Sequence, residues 1–389
     1  MHSTKSSIIK PGIKIGVLGG GQLGMMLCQA AITYGLELSI LDPDSKASCS
    51  NYTSKFVQGE FKDEDTVFQF GKDLDVLTIE IEHVHVGALK RLEKKGVLVF
   101  PQPKVIELIQ DKGLQKEFFI QNQIPTAPFK FLDSKKDIPH QENAFPFVLK
   151  SRKGGYDGKG VSLIKNQDDL GKFLQGTFPE GPMILEEMAE FEKEISIIVA
   201  RNSKGEIEIY DPVEMEFNPE ANLVEFLKSP AQISHEVNLK GRALAEKIIT
   251  HLNMVGILAI EMFLLKNGEL WINEMAPRPH NSGHQTIEAN YSSQFDQLIR
   301  AILNLPLGSS KARSSSMMIN LLGELGYAGP AVYQGIEEVL SMEGVYLHLY
   351  GKSETRPMRK MGHITILGED QEKSKEKAHR IRNFFKIIC

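Results

Sequence analysis

Cysteine, long apolar runs and charge imbalance are all scarce in this chain of 389 residues. Cys28, Cys49 and Cys389 are odd in number and lack the spacing of a metal or redox motif, so we expect reduced thiols and a cytoplasmic protein. No apolar run reaches the roughly 18 residues of a membrane span, and the N-terminus lacks the apolar core of a signal peptide. The formal net charge of −5 gives no reason to expect a nucleic acid or an anionic membrane as partner.

The length and the order of patterns predict three parts. Short apolar runs alternate with helical patterns over residues 13–100, which favours a doubly wound parallel sheet. The next part mixes strands and helices, beginning with one helix predicted over residues 104–123. From about residue 310 the pattern predicts short strands that form a small terminal β module, and residues 368–377 form a charged low-complexity segment. We therefore predict an α/β and α+β protein divided at residues 1–105, 106–308 and 309–389.

The segment from Ala259 to His284 carries the strongest local signal. Asn267-Gly268 is typical of a two-residue type I′ turn, which predicts a β-hairpin. That turn predicts the pairs Lys266–Glu269, Leu264–Trp271, Met262–Asn273 and Glu261–Glu274. Two carboxylates directly opposite each other lie about 5 Å apart and repel, and a divalent ion such as Mg²⁺ would remove the repulsion. The alternative is an exposed hairpin whose acids both point to water.

Gly19 to Gly24 form a GxGxxG motif between a predicted strand and a predicted helix, and Asp42 ends the next strand. Such glycines let backbone N–H groups approach a phosphate at a helix N-terminus. The motif fits a nicotinamide cofactor, another phosphorylated small molecule, or tight packing without a ligand.

A second glycine-rich loop, from Ser151 to Gly160, joins two predicted strands and contains three cations. It suits a flap that closes on polyphosphate, with Lys150 at the end of the preceding strand, although a solvated hairpin is the alternative. Downstream, the hinge from Glu186 to Ala189 could contact an adenine edge through its backbone, and Glu194 could accept ribose hydroxyls.

Lys150, the GGYDGKG flap, the EEMA hinge, the EMF…INE hairpin, GGGQLG, APRPHNSGH and MRKMGH occur together in one order. Over residues 13–367 they closely resemble the N5-carboxyaminoimidazole ribonucleotide synthase family of purine biosynthesis. The resemblance implies an ATP-grasp fold with an N-terminal Rossmann-like pre-ATP-grasp domain and a small C-terminal β module. It also implies a ligase that carboxylates 5-aminoimidazole ribonucleotide with ATP and bicarbonate, giving ADP and phosphate through carboxyphosphate.

The resemblance assigns expected roles to residues of this chain. The expected ATP-binding residues are Lys112, Lys150, Gly155, Tyr156, Asp157, Gly158, Lys159, Gly160, Val161, Glu186, Glu187, Met188, Ala189, Glu194, Asn273 and Glu274. The expected ribonucleotide-binding residues are Gln22, Leu23, Glu80, Asn281, Lys352, Arg359 and Lys360. Arg278, Lys150, Tyr156 and Asp157 are the expected catalytic residues, and Glu261 and Glu274 the expected ligands of Mg²⁺, with Mn²⁺ as an alternative ion. His280 is a weaker candidate than Arg278 for placing bicarbonate or the amine.

The sequence departs from the family at Lys112, where an arginine is usual, and at Asn218, where a nucleotide-site histidine is frequent. Lysine keeps the charge of arginine but loses its planar fork. The family also implies a homodimer. Formate-dependent glycinamide ribonucleotide transformylase is the first alternative. That family typically has glutamate at the position of Gln22 and aspartate at the position of Asn281. An NAD-dependent dehydrogenase and a catalytically inactive nucleotide-binding regulator are more distant alternatives.

Overall fold

The computed structural model describes residues 9–141, 144–154, 160–176, 181–218 and 223–389. The first part is a parallel five-stranded sheet, as the sequence predicted, with helices packed around it. Its elements are β1 (Ile15–Leu18), α1 (Gln22–Ile32), β2 (Leu38–Asp42), β3 (Phe56–Gln58), α2 (Glu64–Gly71), β4 (Val76–Ile79), α3 (Val86–Lys95) and β5 (Leu98–Val99). The strand order is β3-β2-β1-β4-β5, so the carboxyl ends of β1, β2 and β4 lie side by side at one edge.

The helix predicted over residues 104–123 is divided in two, and that prediction was wrong. α4 spans Pro103–Ile109 and α5 spans Lys112–Gln121. The side chain of Asp111 caps α5 by accepting hydrogen bonds from the N–H groups of Gly113 (2.8 Å) and Leu114 (3.3 Å). An aspartate at this position favours a new helix start over continuation of the old helix.

The flap is carried by an antiparallel four-stranded sheet with the order β6-β9-β7-β8. Its elements are β6 (Phe129–Leu132), β7 (Phe147–Ser151), β8 (Val161–Ile164), α6 (Gln167–Gln175) and β9 (Met183–Glu187). A short 3-10 helix, Lys135–Asp137, follows β6. β7 and β8 pair from Phe147–Ile164 to Lys150–Val161, so the glycine-rich loop joins their ends as predicted.

The largest sheet crosses the predicted boundary at residue 309. Its strands are β10 (Phe191–Arg201), β11 (Ile207–Ile209), β12 (Val213–Asn218), β13 (Leu223–Ser229), β14 (Gly256–Leu265), β15 (Leu270–Ala276), β16 (Ser316–Leu322), β19 (Val345–Leu349) and β21 (Lys360–Leu367). The order is β15-β14-β10-β12-β13-β16-β21-β19, with β11 paired to β10. Helices α7 (His235–His251), α8 (Thr286–Ala289) and α9 (Gln294–Ile302) and the 3-10 helix Asn281–Gly283 accompany this sheet. Antiparallel pairing of β13 with β16 makes the middle and C-terminal parts one continuous sheet.

The C-terminal part contains helices as well as the predicted strands. Its remaining elements are β17 (Gly329–Pro330), β18 (Val332–Gln334), α10 (Ile336–Leu340), β20 (Glu354–Thr355), α11 (Gln371–Phe384) and β22 (Lys386–Ile388). α11 occupies much of the charged segment 368–377. Asp370 caps it, and Ser374, Ala378 and Ile381 are buried at helical spacing, a narrow stripe that is hard to detect among charged residues.

Within the described residues, no helix has both the length and the apolar character needed to cross a membrane.

Candidate active site

The hairpin that joins β14 to β15 has a three-residue loop, so the predicted two-residue type I′ turn was wrong. The N–H of Leu265 donates to the carbonyl of Glu269, and the N–H of Gly268 donates to the carbonyl of Leu265, both at 2.9 Å. Gly268 has φ +80°, a left-handed conformation that glycine adopts without steric cost. Lys266 therefore lies in the loop and does not pair with Glu269.

A β-bulge then corrects the register before the acidic pair. Leu264 pairs with Leu270 and Met262 with Ile272, in place of the predicted partners Trp271 and Asn273. The register shifts between residues 261 and 262, and Asn273 is the extra residue on its strand. The predicted pairing of Glu261 with Glu274 is confirmed, because the longer loop and the bulge offset each other.

Asn273 and the hinge acid Glu186 hold Lys150 between them. Lys150 Nζ donates to Asn273 Oδ1 at 2.8 Å and lies 2.9 Å from Glu186 Oε2. Lys116, on α5, approaches the other oxygen of Glu186 at 3.0 Å and donates to Thr126 Oγ1 at 2.5 Å. Burial lowers the pKa of Lys116 to about 8, although the nearby Glu186 charge opposes that shift. The Glu186 carboxylate is thus committed to two lysines, which leaves the backbone of the hinge to meet a ligand.

Three carboxylates, Glu194, Glu261 and Glu274, gather at the face of the hairpin. Burial raises the pKa of Glu261, and the charges of Glu274 and Glu194 raise it further. Burial also raises the pKa of Glu194 to about 7, with Glu274 adding to the shift and Lys150 opposing it. The Glu274 side chain keeps 43% of its solvent exposure, so water in the open cleft screens part of this repulsion. Glu274 also contacts Lys112, whose charge holds the pKa of Glu274 below its usual range.

The donor set of this face fits a hard divalent cation. Across the described ranges, no group of three or more His, Cys, Asp or Glu side chains is arranged to hold a metal by itself. Two facing carboxylates supply too few ligands for a metal site formed by the protein alone. They suit Mg²⁺, which keeps several waters and is commonly held by one or two carboxylates together with substrate phosphates.

Arg278 is fixed by Glu82, a residue that the sequence did not single out. The guanidinium contacts both carboxylate oxygens, through Nε and, at 3.1 Å, through Nη2. Burial alone would raise the pKa of Glu82, but the charge and hydrogen bonds of Arg278 outweigh it and lower the pKa to about 2. Glu82 belongs to the first part of the chain and Arg278 to the middle part, so the pair links the two.

His280 lies between the acidic face and two serines. Its Nε2 is 3.3 Å from Glu261 Oε1, and its Nδ1 is 2.9 Å from Ser282 Oγ, which is 2.8 Å from Ser196 Oγ. Burial lowers the pKa of His280 to about 4, and the charges of Arg278 and Lys360 act in the same direction. His280 is therefore a neutral hydrogen-bonding group near pH 7.

The N-terminal glycine loop has its donors occupied by the protein itself. Glu80 accepts hydrogen bonds from the N–H groups of Gly21 and Gly24, both at 3.0 Å, and Asp42 accepts one from Gly20 at 2.6 Å. Asp42 is only 8% exposed, so its carboxylate is not presented to a ribose. Two carboxylates thus occupy the donors to which the motif could bind a phosphate, which weighs against a nicotinamide dinucleotide here.

The expected ribonucleotide-binding residues come from all three parts of the chain. Gln22 begins α1 beside Glu80, whereas the Leu23 side chain packs in the hydrophobic core. Burial lowers the pKa of Lys352 to about 8; Arg359 and Lys360 add to the shift, and Glu80 opposes it. Glu80 of the first part and the cations Arg359 and Lys360 therefore all lie within electrostatic range of Lys352. Asn281 exchanges two amide hydrogen bonds with Asn320, at 2.8 and 3.0 Å.

The expected flap residues Gly155, Tyr156, Asp157, Gly158 and Lys159 lie outside the described residues. Gly160 has φ +78°, and Val161 begins β8. The hinge residues Glu187 and Met188 line a cavity of about 410 Å³ together with Pro146, Leu265 and Trp271. Ala189 follows these hinge residues directly.

Sequence reasoning missed Glu82, Lys116 and Ser282 as members of this site. Glu82 follows the carboxyl end of β4, two residues after Glu80, a position where parallel sheets commonly present functional side chains. Lys116 is four residues after Lys112 on α5, so the two lysines share a helix face. Both signals were present in the sequence, whereas the contact of Ser282 with His280 depends on the local turn.

Comparison with known proteins agrees with this geometry. The chain matches family models for the ribonucleotide synthetase preATP-grasp domain (residues 13–110), the ATP-grasp domain (117–295) and the phosphoribosylaminoimidazole carboxylase C-terminal domain (316–377). It is 37% identical over 360 residues to N5-carboxyaminoimidazole ribonucleotide synthase of Brucella melitensis, covering 92% of this chain and 97% of the relative. It is 38% identical over 361 residues to the chloroplastic phosphoribosylaminoimidazole carboxylase of Vigna aconitifolia, covering 92% of this chain but only 64% of that longer relative.

Solved structures resemble the chain over almost its whole length. The N5-carboxyaminoimidazole ribonucleotide synthetase of Thermotoga maritima has 43% identity and a TM-score of 0.87, covering 97% of this chain and 99% of its own. The synthase of Aspergillus clavatus, solved in complex with ADP and 5-aminoimidazole ribonucleotide, has 33% identity and a TM-score of 0.86, covering 95% and 98%. The family models occur in the expected order, and the Brucella relative matches along nearly its entire length. The chain therefore belongs to the N5-carboxyaminoimidazole ribonucleotide synthase family, with the ATP-grasp fold.

Proposed function

We propose that this protein is a ligase that carboxylates 5-aminoimidazole ribonucleotide on nitrogen. The reaction converts ATP, bicarbonate and the ribonucleotide to ADP, phosphate and N5-carboxyaminoimidazole ribonucleotide, in de novo purine biosynthesis. The observation that carries the proposal is the pairing of Glu261 with Glu274 beside Lys150 and Asn273, within an ATP-grasp chain. The Aspergillus clavatus relative, solved with ADP and 5-aminoimidazole ribonucleotide, supports the same substrates.

In this proposal the ATP lies between the two sheets that carry the hinge and the hairpin. The backbone from Glu186 to Ala189 meets the adenine, and the cavity lined by Met188 and Trp271 provides apolar contact. Glu194 accepts the ribose hydroxyls. Lys150, Lys112 and the flap residues 155–161 contact the phosphates, since fixed cations and backbone N–H groups stabilise transferring phosphoryl groups.

The metal is a further part of the proposal. Glu261 and Glu274 would hold Mg²⁺, or Mn²⁺ in its place, with Asn273 beside them at the nucleotide. A bound divalent cation would neutralise the developing charge on the phosphates and align the γ-phosphate with bicarbonate.

Bicarbonate and the acceptor amine are assigned to the region around Arg278. A guanidinium suits an oxyanion, and the contact of Arg278 with both oxygens of Glu82 fixes the orientation of the guanidinium. Attack of a bicarbonate oxygen on the γ-phosphate gives carboxyphosphate, whose collapse releases CO₂ next to the amine. The family resemblance assigns Tyr156 and Asp157 to the same reaction, and exclusion of water from the site would protect the intermediate from hydrolysis.

The ribonucleotide is assigned to the neighbourhood of Glu80 and the C-terminal cations. Lys352, Arg359 and Lys360 supply positive charge for its phosphate, and Gln22, Leu23 and Asn281 complete the pocket. Because Leu23 packs in the core, its contribution is through the backbone. A homodimer, a cytoplasmic location and the three domain boundaries stay predictions.

An omission assay tests the proposed reaction. Phosphate release should require ATP, a divalent cation, bicarbonate and 5-aminoimidazole ribonucleotide together, and ¹³C-bicarbonate should appear in the product. Lys150→Gln should reduce phosphate release by about 100-fold, whereas Lys130→Gln, on the exposed face of β6, should not. Phosphate release that depends on formate and glycinamide ribonucleotide would instead identify a transformylase.

A further inference from the structure

We propose that Lys112 acts as an internal counter-cation for Glu274, so that it must be displaced before a divalent metal can bind. The inference rests on the proposed function, because it takes Glu274 as a metal ligand and Lys112 as a phosphate contact. One lysine exchanges between a carboxylate and the nucleotide, and this exchange couples the binding of metal to the binding of ATP.

The contact between these two residues is direct. Lys112 Nζ donates to Glu274 Oε2, and the Lys112 side chain keeps 18% of its exposure. The ammonium therefore occupies one ligand position of the acidic pair.

Two neighbouring lysines have other partners. Lys116 and Lys150 both contact Glu186, and Lys150 also donates to Asn273. Glu261 lies 3.3 Å from His280 Nε2. Lys112, in contrast, is in direct contact with Glu274 of the acidic pair.

The backbone at Lys112 is fixed, but its side chain can change partner. The N–H of Lys112 donates to the carbonyl of Arg152 at 2.8 Å, and Arg152 in turn binds Asp111, the cap of α5, at 2.9 and 3.0 Å. Only the flexible four-carbon stem needs to move for the ammonium to leave Glu274. Lysine suits such an exchange, because its compact charge can rotate from one oxygen to another without matching a planar fork.

A coupling between the two ligands follows from this arrangement. Without nucleotide, a metal ion competes with the ammonium for Glu274, and breaking a part-buried ion pair weakens metal binding. The phosphates of a nucleotide give Lys112 another partner and release Glu274. By thermodynamic reciprocity, the metal then strengthens nucleotide binding by the same factor.

Titration with Mn²⁺, followed by electron paramagnetic resonance, tests the inference on the full-length protein with and without ADP. Without ADP, Lys112→Met should bind Mn²⁺ about tenfold more tightly than wild type, which corresponds to about 1.4 kcal/mol. Lys112→Gln serves as a second neutral variant, and circular dichroism verifies that each variant is folded. Lys104→Met, which removes an exposed lysine of α4, should leave Mn²⁺ affinity unchanged.

ADP should strengthen Mn²⁺ binding more in wild type than in either neutral variant. The affinity of Mn²⁺ for ADP itself is common to all proteins and cancels in this comparison. Equal or weaker Mn²⁺ binding by ADP-free Lys112→Met and Lys112→Gln would overturn the counter-cation role alone. If wild type with ADP binds Mn²⁺ no better than Glu274→Gln does, the metal assignment of the proposed function fails and this inference fails with it.

Discussion

The N-terminal glycine loop and the β14–β15 hairpin both resemble ligand sites in sequence, but their charges are balanced in opposite ways. In the loop, Glu80 and Asp42 accept hydrogen bonds from the glycine N–H groups at 2.6–3.0 Å. In the hairpin, Glu261 and Glu274 face each other, with Lys112 in contact with Glu274 and His280 3.3 Å from Glu261. A region whose polar groups are paired internally is stable by itself, whereas facing carboxylates favour binding of a cation.

The largest effect should come from removing one acid of the hairpin. Glu274→Gln keeps the shape but removes a charge from the proposed metal site, so ATP turnover should fall by about 100-fold or more. Glu269→Gln, an exposed substitution in the same hairpin, is the matched control. Coupled phosphate-release assays measure both variants, and ordinary turnover by Glu274→Gln would remove the distinction between the two regions.

The corresponding change in the loop should affect folding and leave nucleotide binding intact. Asp42→Ala removes a buried acceptor for the N–H groups of Gly20 and Asp44, so the free energy of unfolding should fall by about 2 kcal/mol. Asp44→Ala, at an exposed position, should change it by less than about 0.5 kcal/mol. Urea denaturation measures the loss. ATP affinity, followed by calorimetry, should be unaltered, and a large drop would mean that the loop contacts the nucleotide.

Glu82 follows β4 in the first part of the chain and contacts Arg278, which follows the hairpin. Glu82→Gln leaves Arg278 with a neutral partner, so the guanidinium should lose its fixed orientation and the KM for bicarbonate should rise about tenfold, with a smaller change in kcat. Glu93→Gln, on the exposed face of α3, is the control. Steady-state rates at varied bicarbonate separate KM from kcat. An unchanged KM would show that Arg278 needs no such support.

A fall in pH should produce the smallest effect. It acts on two buried histidines whose polar groups, like those of the glycine loop, are enclosed by the protein. His284 and His363 are almost fully buried, and burial lowers the pKa of each well below its usual value. Below about pH 6.5 these histidines therefore bind protons in the unfolded chain but not in the folded chain. As the pH falls, each of them lowers the free energy of unfolding by up to about 1.4 kcal/mol per pH unit. His363→Gln should lessen the drop in Tm between pH 7 and pH 5; an unchanged drop would point to other groups.

Local sequence patterns predicted the helices and strands of the fold well. They predicted less often which residue, distant in sequence, contacts each motif. The acidic pair could be predicted from Asn267-Gly268, yet only because a three-residue loop and a bulge at Asn273 offset each other. The occupants of the glycine loop could not, since Glu80 lies 56–59 residues away in sequence and reaches the loop only through the parallel pairing of β1 with β4. The break at Asp111 was readable, because aspartate before a helical pattern is a common helix start.

The continuous sheet from β15 to β19 limits how proteins of this family can be truncated into separate domains. The backbone of β13 is sealed by β16, so a polypeptide truncated at residue 308 would leave a long bare edge open to pairing with other molecules. Such a truncation should aggregate instead of yielding an independent nucleotide-binding unit. The same seam joins Lys360, at the start of β21, to Glu261, on β14, through one continuous sheet, so in the proposed reaction the phosphate of the ribonucleotide and the metal would be held by a single rigid element.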